Sequence, residues 1–213
     1  MRQSQRFKEP PSSDEEQSLL SQGYRFVAGI DEVGRGALAG PVAAAALILP
    51  LRLDETWITQ VRDSKQLSAK KRQFLAQHIR EKALALGVGM VSHVDIDSKG
   101  IIWATRQAMR LAVAELKPAP DFLLIDGLAL PAVKLPQKYI IKGDCLCRSI
   151  ACASIVAKVA RDQLMNDLSQ DHPGYGFAAN KGYGTSEHLE ALQKLGVCTI
   201  HRRSFAPVKE LCP

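Results

Sequence analysis

The sequence predicts a mixed α/β layer, and three observations carry that prediction. Short apolar runs of strand length recur at 24–31, 42–49, 88–94, 122–125 and 139–141. Stretches with apolar residues at helical spacing cover 68–86, 97–116, 149–168 and 186–195. Phe122-Leu123-Leu124-Ile125 is wholly apolar and follows a helical stretch, the character of a strand buried on both faces of a parallel sheet. Together these give three hairpin-like strands, two parallel strands and covering helices. The 213 residues fit one compact domain.

Residues 1–20, rich in Ser, Gln, Glu and Pro, read as a mobile tail with a short helical piece near Asp14 to Leu20. The first strand ends at Asp31, and Gly34, Gly36 and Gly40 follow it closely. That short glycine-rich link predicts an antiparallel hairpin with VAAAALIL, 42–49, which Pro50 ends. Ser68 is a suitable N-cap for a helix running to Leu86, with Leu75, Ile79, Ala83 and Leu86 on one face. Gly87-Val88-Gly89 is expected to stop it, and Val88 to Val94 to form the third strand. Ile101, Ala108, Leu111 and Ala112 give 97–116 a helical repeat, closed by Pro118. Tyr139-Ile140-Ile141 is the fifth strand. The long helix from Ser149 turns Ile150, Ile155, Val159 and Leu164 to the core, which leaves Lys158, Arg161 and Asp162 on its polar side. Two glycine-flanked tyrosine loops, a helix over 186–195 and a basic end complete the chain.

Composition narrows the function classes. No stretch approaches the ~20 apolar residues needed to span a bilayer, and the amino terminus lacks the apolar core of a secretory signal, so a cytoplasmic protein is expected. Lys and Arg exceed Asp and Glu by 28 to 22, a net charge of +6 that suits an anionic partner such as nucleic acid. Five cysteines without zinc spacing read as reduced thiols with no metal role.

Chemistry is concentrated where strands end. Asp31-Glu32, Asp126 and Asp144 each close a short apolar run, and ligands in open α/β sheets gather at the carboxyl ends of strands. On the Asp31-Glu32 dipeptide alone, acids pointing into water are the simpler reading. Should the first and fourth strands be neighbours, Asp31 and Asp126 would face each other. Carboxylates gathered there would repel strongly unless a hard divalent cation, Mg²⁺ or Mn²⁺, lay between them. Gly34-Arg35-Gly36 would let backbone approach a phosphodiester closely, and Ser64-Lys65 and Lys181 could each hold a phosphate oxygen. Tyr183 could stack on a sugar or base. Taken singly, Arg35 reads equally as a surface turn, Lys65 as a solvated charge and Tyr183 as a ring capping the domain edge. His201-Arg202-Arg203 is a basic cluster open to nucleic acid, and the remaining histidines show no ligand spacing.

The ordered strings GIDEVGRGALAGPV, DSKQL, LLIDG, KGD, ASIVAKVARD, NKGYGTSEH and HRRSFAPV resemble the bacterial ribonuclease HII family, over about Tyr24 to Pro207. The resemblance implies a ribonuclease H-like fold over 21–213: a five-stranded mixed sheet, three antiparallel strands then two parallel, flanked by helices with a helical C-terminal extension. It implies an endoribonuclease that cuts the RNA strand of RNA–DNA hybrids and single ribonucleotides in duplex DNA; a monomer is expected. Two-metal hydrolysis with Mg²⁺ or Mn²⁺ would leave 3′-hydroxyl and 5′-phosphate ends. It places the metal-site acids at Asp31, Glu32, Asp126 and Asp144. Its ribose-sensing loop falls on Gly34, Arg35 and Gly36, its phosphate contacts on Ser64 and Lys65, and its substrate-distorting ring on Tyr183. Ala37 and Asn180 depart from the family's usual proline and histidine. A non-catalytic nucleic-acid-binding domain, or a DNA-cutting nuclease of the same fold, is the alternative.

Overall fold

The computed structural model describes residues 10–50, 52, 53 and 55–212. Five strands form one sheet: β1 (Val27–Val33), β2 (Val42–Ile48), β3 (Ala85–Val91), β4 (Phe122–Asp126) and β5 (Gln137–Ile140). Their order is β3-β2-β1-β4-β5, antiparallel for β1–β2 and β2–β3, parallel for β1–β4 and β4–β5. The sheet is therefore the expected three antiparallel strands followed by two parallel ones.

Alternation along the central strands builds two cores. Ala28, Ile30, Ala44 and Ala46 face α4 (Ile101–Ala114) through Ala104, Ala108, Met109 and Ala112. Ala45 and Leu47 face the opposite layer, where α2 (Ala69–Lys82) and α6 (Arg148–Asp171) supply Leu75, Ile79, Ala151, Ile155 and Val156. The alanines of β2 are all fully buried, and their small size lets both helical layers come close to the sheet.

Several boundaries differ from the sequence expectation, each for a physical reason. Ser68 caps α2 as expected, accepting from the Lys71 N–H at 3.3 Å, but the helix ends at Lys82 because the chain has already joined β3 at Ala85. Gly87 and Gly89 lie inside that strand rather than stopping a helix. A Cβ on either would sit 2.2 and 2.1 Å from the Ala112 and Ala108 carbonyl oxygens of α4, so they are where strand and helix touch. The helical stretch 97–116 is two helices, α3 (His93–Lys99) and α4, broken at Gly100. Ser92 caps α3 by accepting from the Asp95 N–H at 3.2 Å, which ends β3 three residues early.

Residues 1–9 of the tail expected over 1–20 lie outside the described residues, and from Asp14 onward the tail is helical. α1 (Asp14–Ser21) is the short helix foreseen there, anchored by buried Leu19. The Ser12 N–H donates to the Leu146 carbonyl at 3.1 Å, and the Ser12 carbonyl accepts from Arg148 N–H at 2.9 Å. Glu16 Oε1 accepts from the Ser149 N–H at 2.8 Å, so a carboxylate from α1 caps the first turn of α6, where the helix dipole favours it. Composition hid this because the anchors are single residues in a polar stretch. All five cysteines are free thiols. Among the described residues no helix is long and apolar enough to cross a membrane.

Candidate active site

The parallel register Ile30↔Ile125 sets Asp31 beside Asp126 at the carboxyl end of the sheet. β5 then leads into the short helix α5 (Gly143–Leu146), whose first turn carries Asp144. Carboxylate oxygens of Asp31, Asp126 and Asp144 all lie within 4.8 Å of one another. Three acids from β1, β4 and α5 thus converge, two near strand ends and the third in the short helix after β5. Glu32 stands outside that group of three. Alternation along β1 turns it away from Asp31, and its Oε1 accepts from Arg35 Nη1 at 3.1 Å, though it lines the same cavity.

Asp31 is 4 % exposed and Asp144 is 6 % exposed. Burial pushes the Asp31 carboxyl well above the usual carboxylate range, and the neighbouring charges of Glu32, Asp126 and Asp144 push it further. A hydrogen bond from Ser154 opposes the rise without reversing it. Burial likewise raises Asp126 to about 6, against the pull of the Gly143 N–H, which donates to its Oδ1 at 2.7 Å. Lys65 brings a basic nitrogen to the edge of the cluster, its Nζ 3.8 Å from Asp144 Oδ2. One solvent-exposed ammonium does not balance the cluster. The donor set is all hard oxygen, crowded and short of compensating charge, which is the chemistry a divalent cation fits.

Around the acids lies a cavity of about 410 Å³ lined by Gly34, Arg35, Gly36, Ser64, Lys65, Lys158 and Tyr183 among others. Gly34, Arg35, Gly36, Lys65 and Tyr183 thus line one cavity with Asp31, Glu32 and Asp126. Ser64 lines the cavity but is 4 % exposed, with its Oγ 3.0 Å from Ser154 Oγ, so it also supports the acid floor. Lys181 is a correction. It takes a left-handed conformation, φ 53°, and its Nζ bonds Asn166 Oδ1 and the Ala178 carbonyl, which turns it out of the acid cavity.

Sequence reasoning missed Ser154 and Lys158. Both sit on α6, where helical spacing marks only an apolar and a polar side. Lys158 Nζ bonds Asp162 Oδ1 at 2.7 Å and lies 5.5 Å from the centroid of the Tyr183 ring. The expected basic patch at 201–203 is also corrected: His201 is 1 % exposed and Arg202 is fully buried. Arg161, assigned by spacing to the polar side of α6, is fully buried too.

Comparison with known proteins points to one family. A family model described as Ribonuclease HII matches residues 28–208. A ribonuclease HII of Dehalococcoides mccartyi is 55 % identical over 199 residues, covering 93 % of this chain and 94 % of that one. One of Listeria monocytogenes is 52 % identical over 195 residues, covering 92 % of this chain and 73 % of its own. Among solved structures, the ribonuclease H2 of Pyrococcus horikoshii superposes with a TM-score of 0.74 at 23 % identity, over 88 % of this chain and 97 % of that chain. A Bst-RNase HIII solved with Mn²⁺ gives 0.62 at 21 %, over 87 % and 68 %. At those identities the two structures speak for the fold alone.

Proposed function

The chain belongs to the ribonuclease HII family and is an endoribonuclease of ribonuclease H type; from that premise we propose that it cuts the RNA strand of RNA–DNA hybrids and single ribonucleotides within duplex DNA. The observation that carries the chemistry is the convergence of Asp31, Asp126 and Asp144 within 4.8 Å in a buried, charge-frustrated setting.

Asp31, Asp126 and Asp144 would hold Mg²⁺ or Mn²⁺, with Glu32 contributing charge from the same cavity. When bound, such ions supply Lewis acidity for a water nucleophile and for the departing 3′-oxygen, leaving 3′-hydroxyl and 5′-phosphate ends. The protein's own groups do the rest. Burial of Asp31 and Asp144 keeps bulk water from competing for their oxygens. Ser154 and the Gly143 N–H fix carboxylate orientation, as outer-shell donors do for metal ligands. Lys65 and Lys158 offer positive charge to the phosphodiester, and Tyr183 offers a face to the sugar. The Gly34-Arg35-Gly36 backbone would test the 2′-hydroxyl, the group that distinguishes RNA from DNA at a junction. Every one of these residues comes from one chain, and we take a monomer working in the cytoplasm as the acting form.

The test is cleavage of a duplex carrying one ribonucleotide, in EDTA, Mg²⁺ and Mn²⁺. The reading expects a single cut at the ribonucleotide, with either metal and none in EDTA. Equal cutting of an all-DNA duplex would instead identify a DNA nuclease, and tight binding without cutting a non-catalytic domain.

A further inference from the structure

Two guanidinium groups lie wholly inside this protein, Arg161 and Arg202, and neither forms an ion pair among the described residues. Every hydrogen bond recorded for them goes to a backbone carbonyl. Arg202 donates from Nε to Gly40 at 2.9 Å, from Nη1 to Arg35 at 2.9 Å and from Nη2 to Pro41 at 3.0 Å. Arg161 donates from Nε to Pro41 at 2.8 Å, from Nη2 to Ala39 at 3.1 Å and from Nη1 to Lys181 at 2.9 Å. Two planar forks thus hold the inner side of the 35–41 loop, and the second also holds the loop that carries Tyr183. The Arg161 guanidinium lies 5.4 Å from the Tyr183 ring centroid.

Burying an uncompensated cation is costly, and burial lowers both arginines, Arg202 to about 9. Apolar residues could fill the same volume without burying a charge. They could not fix the direction of the carbonyls. A trans peptide points its N–H opposite its C=O, so clamping the Arg35 carbonyl inward turns the Gly36 N–H away from Arg202. A Cβ built on Gly36 meets nothing within 4 Å, and Gly36 lines the acid cavity, so a substrate can approach this peptide closely from the side of the acids. Gly34 completes the arrangement: its φ is +89°, and a Cβ there would lie 2.2 Å from Arg161 Nε.

We propose that Arg202 and Arg161 are positioning residues for ribose recognition: Arg202 sets the direction of the Arg35–Gly36 peptide, and Arg161 fixes its loop against Lys181–Tyr183. The inference rests on the reading that the Gly34–Gly36 backbone meets the 2′-hydroxyl. A lysine keeps the charge at either position but lacks the rigid fork that addresses three carbonyls at once.

The experiment uses the full chain as wild type, Arg202→Lys, Arg202→Gln and Arg161→Lys. Thermal unfolding, Mn²⁺ affinity by calorimetry, and kcat and KM on a single-ribonucleotide duplex are measured. Cooperative unfolding, Mn²⁺ affinity within twofold of wild type and a kcat/KM at least tenfold lower, chiefly through kcat, are expected. Rates within threefold of wild type overturn the proposal. So does Mn²⁺ affinity that falls as far as the rate, or failure of both Arg202 variants to fold, which would make the residue purely structural. The Gly36 amide signal of ¹⁵N-labelled protein separates contact of the loop with the ribonucleotide from positioning by Arg202. No response in wild type to the ribonucleotide duplex in non-cleaving Ca²⁺ sinks the reading of the loop. An undiminished response in a folded Arg202 variant sinks the positioning role alone.

Discussion

Asp31 and Arg202 are both buried charges, and their surroundings are opposites. Around Asp31 the nearest ionisable groups are more carboxylates, and its own pKa is driven up by burial and by them. Around Arg202 all three guanidinium nitrogens reach carbonyl oxygens. The same holds for the histidine pair beneath the Tyr183 loop. His201 Nδ1 accepts from the Cys198 N–H at 3.0 Å, so its proton lies on Nε2 and points at His188 Nε2, 3.0 Å away. His188 then carries its proton on Nδ1 and donates to the Tyr183 carbonyl at 2.9 Å. The C-terminal layer is complete as folded, whereas the acid edge is stable only to the extent that something cationic joins it. Incompleteness marks the reacting centre, and completeness marks what holds its loops.

The most forceful way to break that contrast is Asp126→Asn. It should lower metal-dependent cleavage by at least about 10²-fold, as loss of a preorganised electrostatic group does. It should not destabilise the metal-free fold, because it removes one of three repelling carboxylates. A variant that keeps near wild-type cleavage, or that melts well below wild type without metal, would erase the distinction. Arg161→Met is the mirror experiment. Three carbonyls lose a charged donor, so unfolding in urea should show a loss of about 3–5 kcal/mol. Unchanged stability would mean those carbonyls find water, and that the layer is not closed.

The two regions should also titrate in opposite directions within one pH window. His201, lowered to about 4 by burial and by His188, binds a proton more readily unfolded than folded. Its contribution to stability is therefore present above the unfolded value near 6.5 and lost as pH falls toward 4, about 3 kcal/mol by linkage. Asp126, raised to about 6, binds a proton more readily when folded. Its contribution is present at low pH and lost as pH rises from about 4 to 6, about 1–2 kcal/mol after discounting for its partial exposure. Metal-free wild type should accordingly show a shallow stability profile from pH 4 to 6.5. Asp126→Asn should steepen the acid side, and denaturant midpoints across that range read the slope directly. A profile unchanged by the substitution would show that the fold does not raise Asp126.

The acid edge was legible in the sequence because an apolar run ending in a carboxylate carries its meaning locally. Asp31, Asp126 and Asp144 needed only the strand order to converge. The C-terminal layer was not legible, since Arg161 looks like any charge on a helix's polar side until β1 and its loop are packed against it. Arg202 looks like part of a basic tail for the same reason. Gly87 and Gly89 suggested a helix stop because their real constraint is a carbonyl on another element. Ser154 was hidden in a small-residue stretch of α6, where nothing distinguishes packing from a hydrogen bond to Asp31. Local pattern shows where a residue stands along its element, while these roles depend on what arrives from elsewhere.

Two lysines give the mildest test of the same divide. Lys65 and Lys181 look equivalent in the sequence, each a basic residue in a loop with a role open at a phosphate. In the fold, Lys65 Nζ stands 3.8 Å from Asp144, on the rim of the acid cavity. Burial works against its charge, yet the fields of Asp144, Asp63, Asp31 and Asp126 outweigh it and raise its pKa. Lys181 instead bonds Asn166 and Ala178, and its backbone carbonyl is held by Arg161. Lys65→Ala should therefore raise KM for a ribonucleotide duplex roughly tenfold, about 1.4 kcal/mol for a lost charge-assisted contact. Lys181→Ala keeps the carbonyl that Arg161 holds and should change KM by less than about threefold, well under 1 kcal/mol. Equal effects at the two positions would place the Lys181 side chain on the substrate after all, and would move the boundary between the reacting edge and its supporting layer.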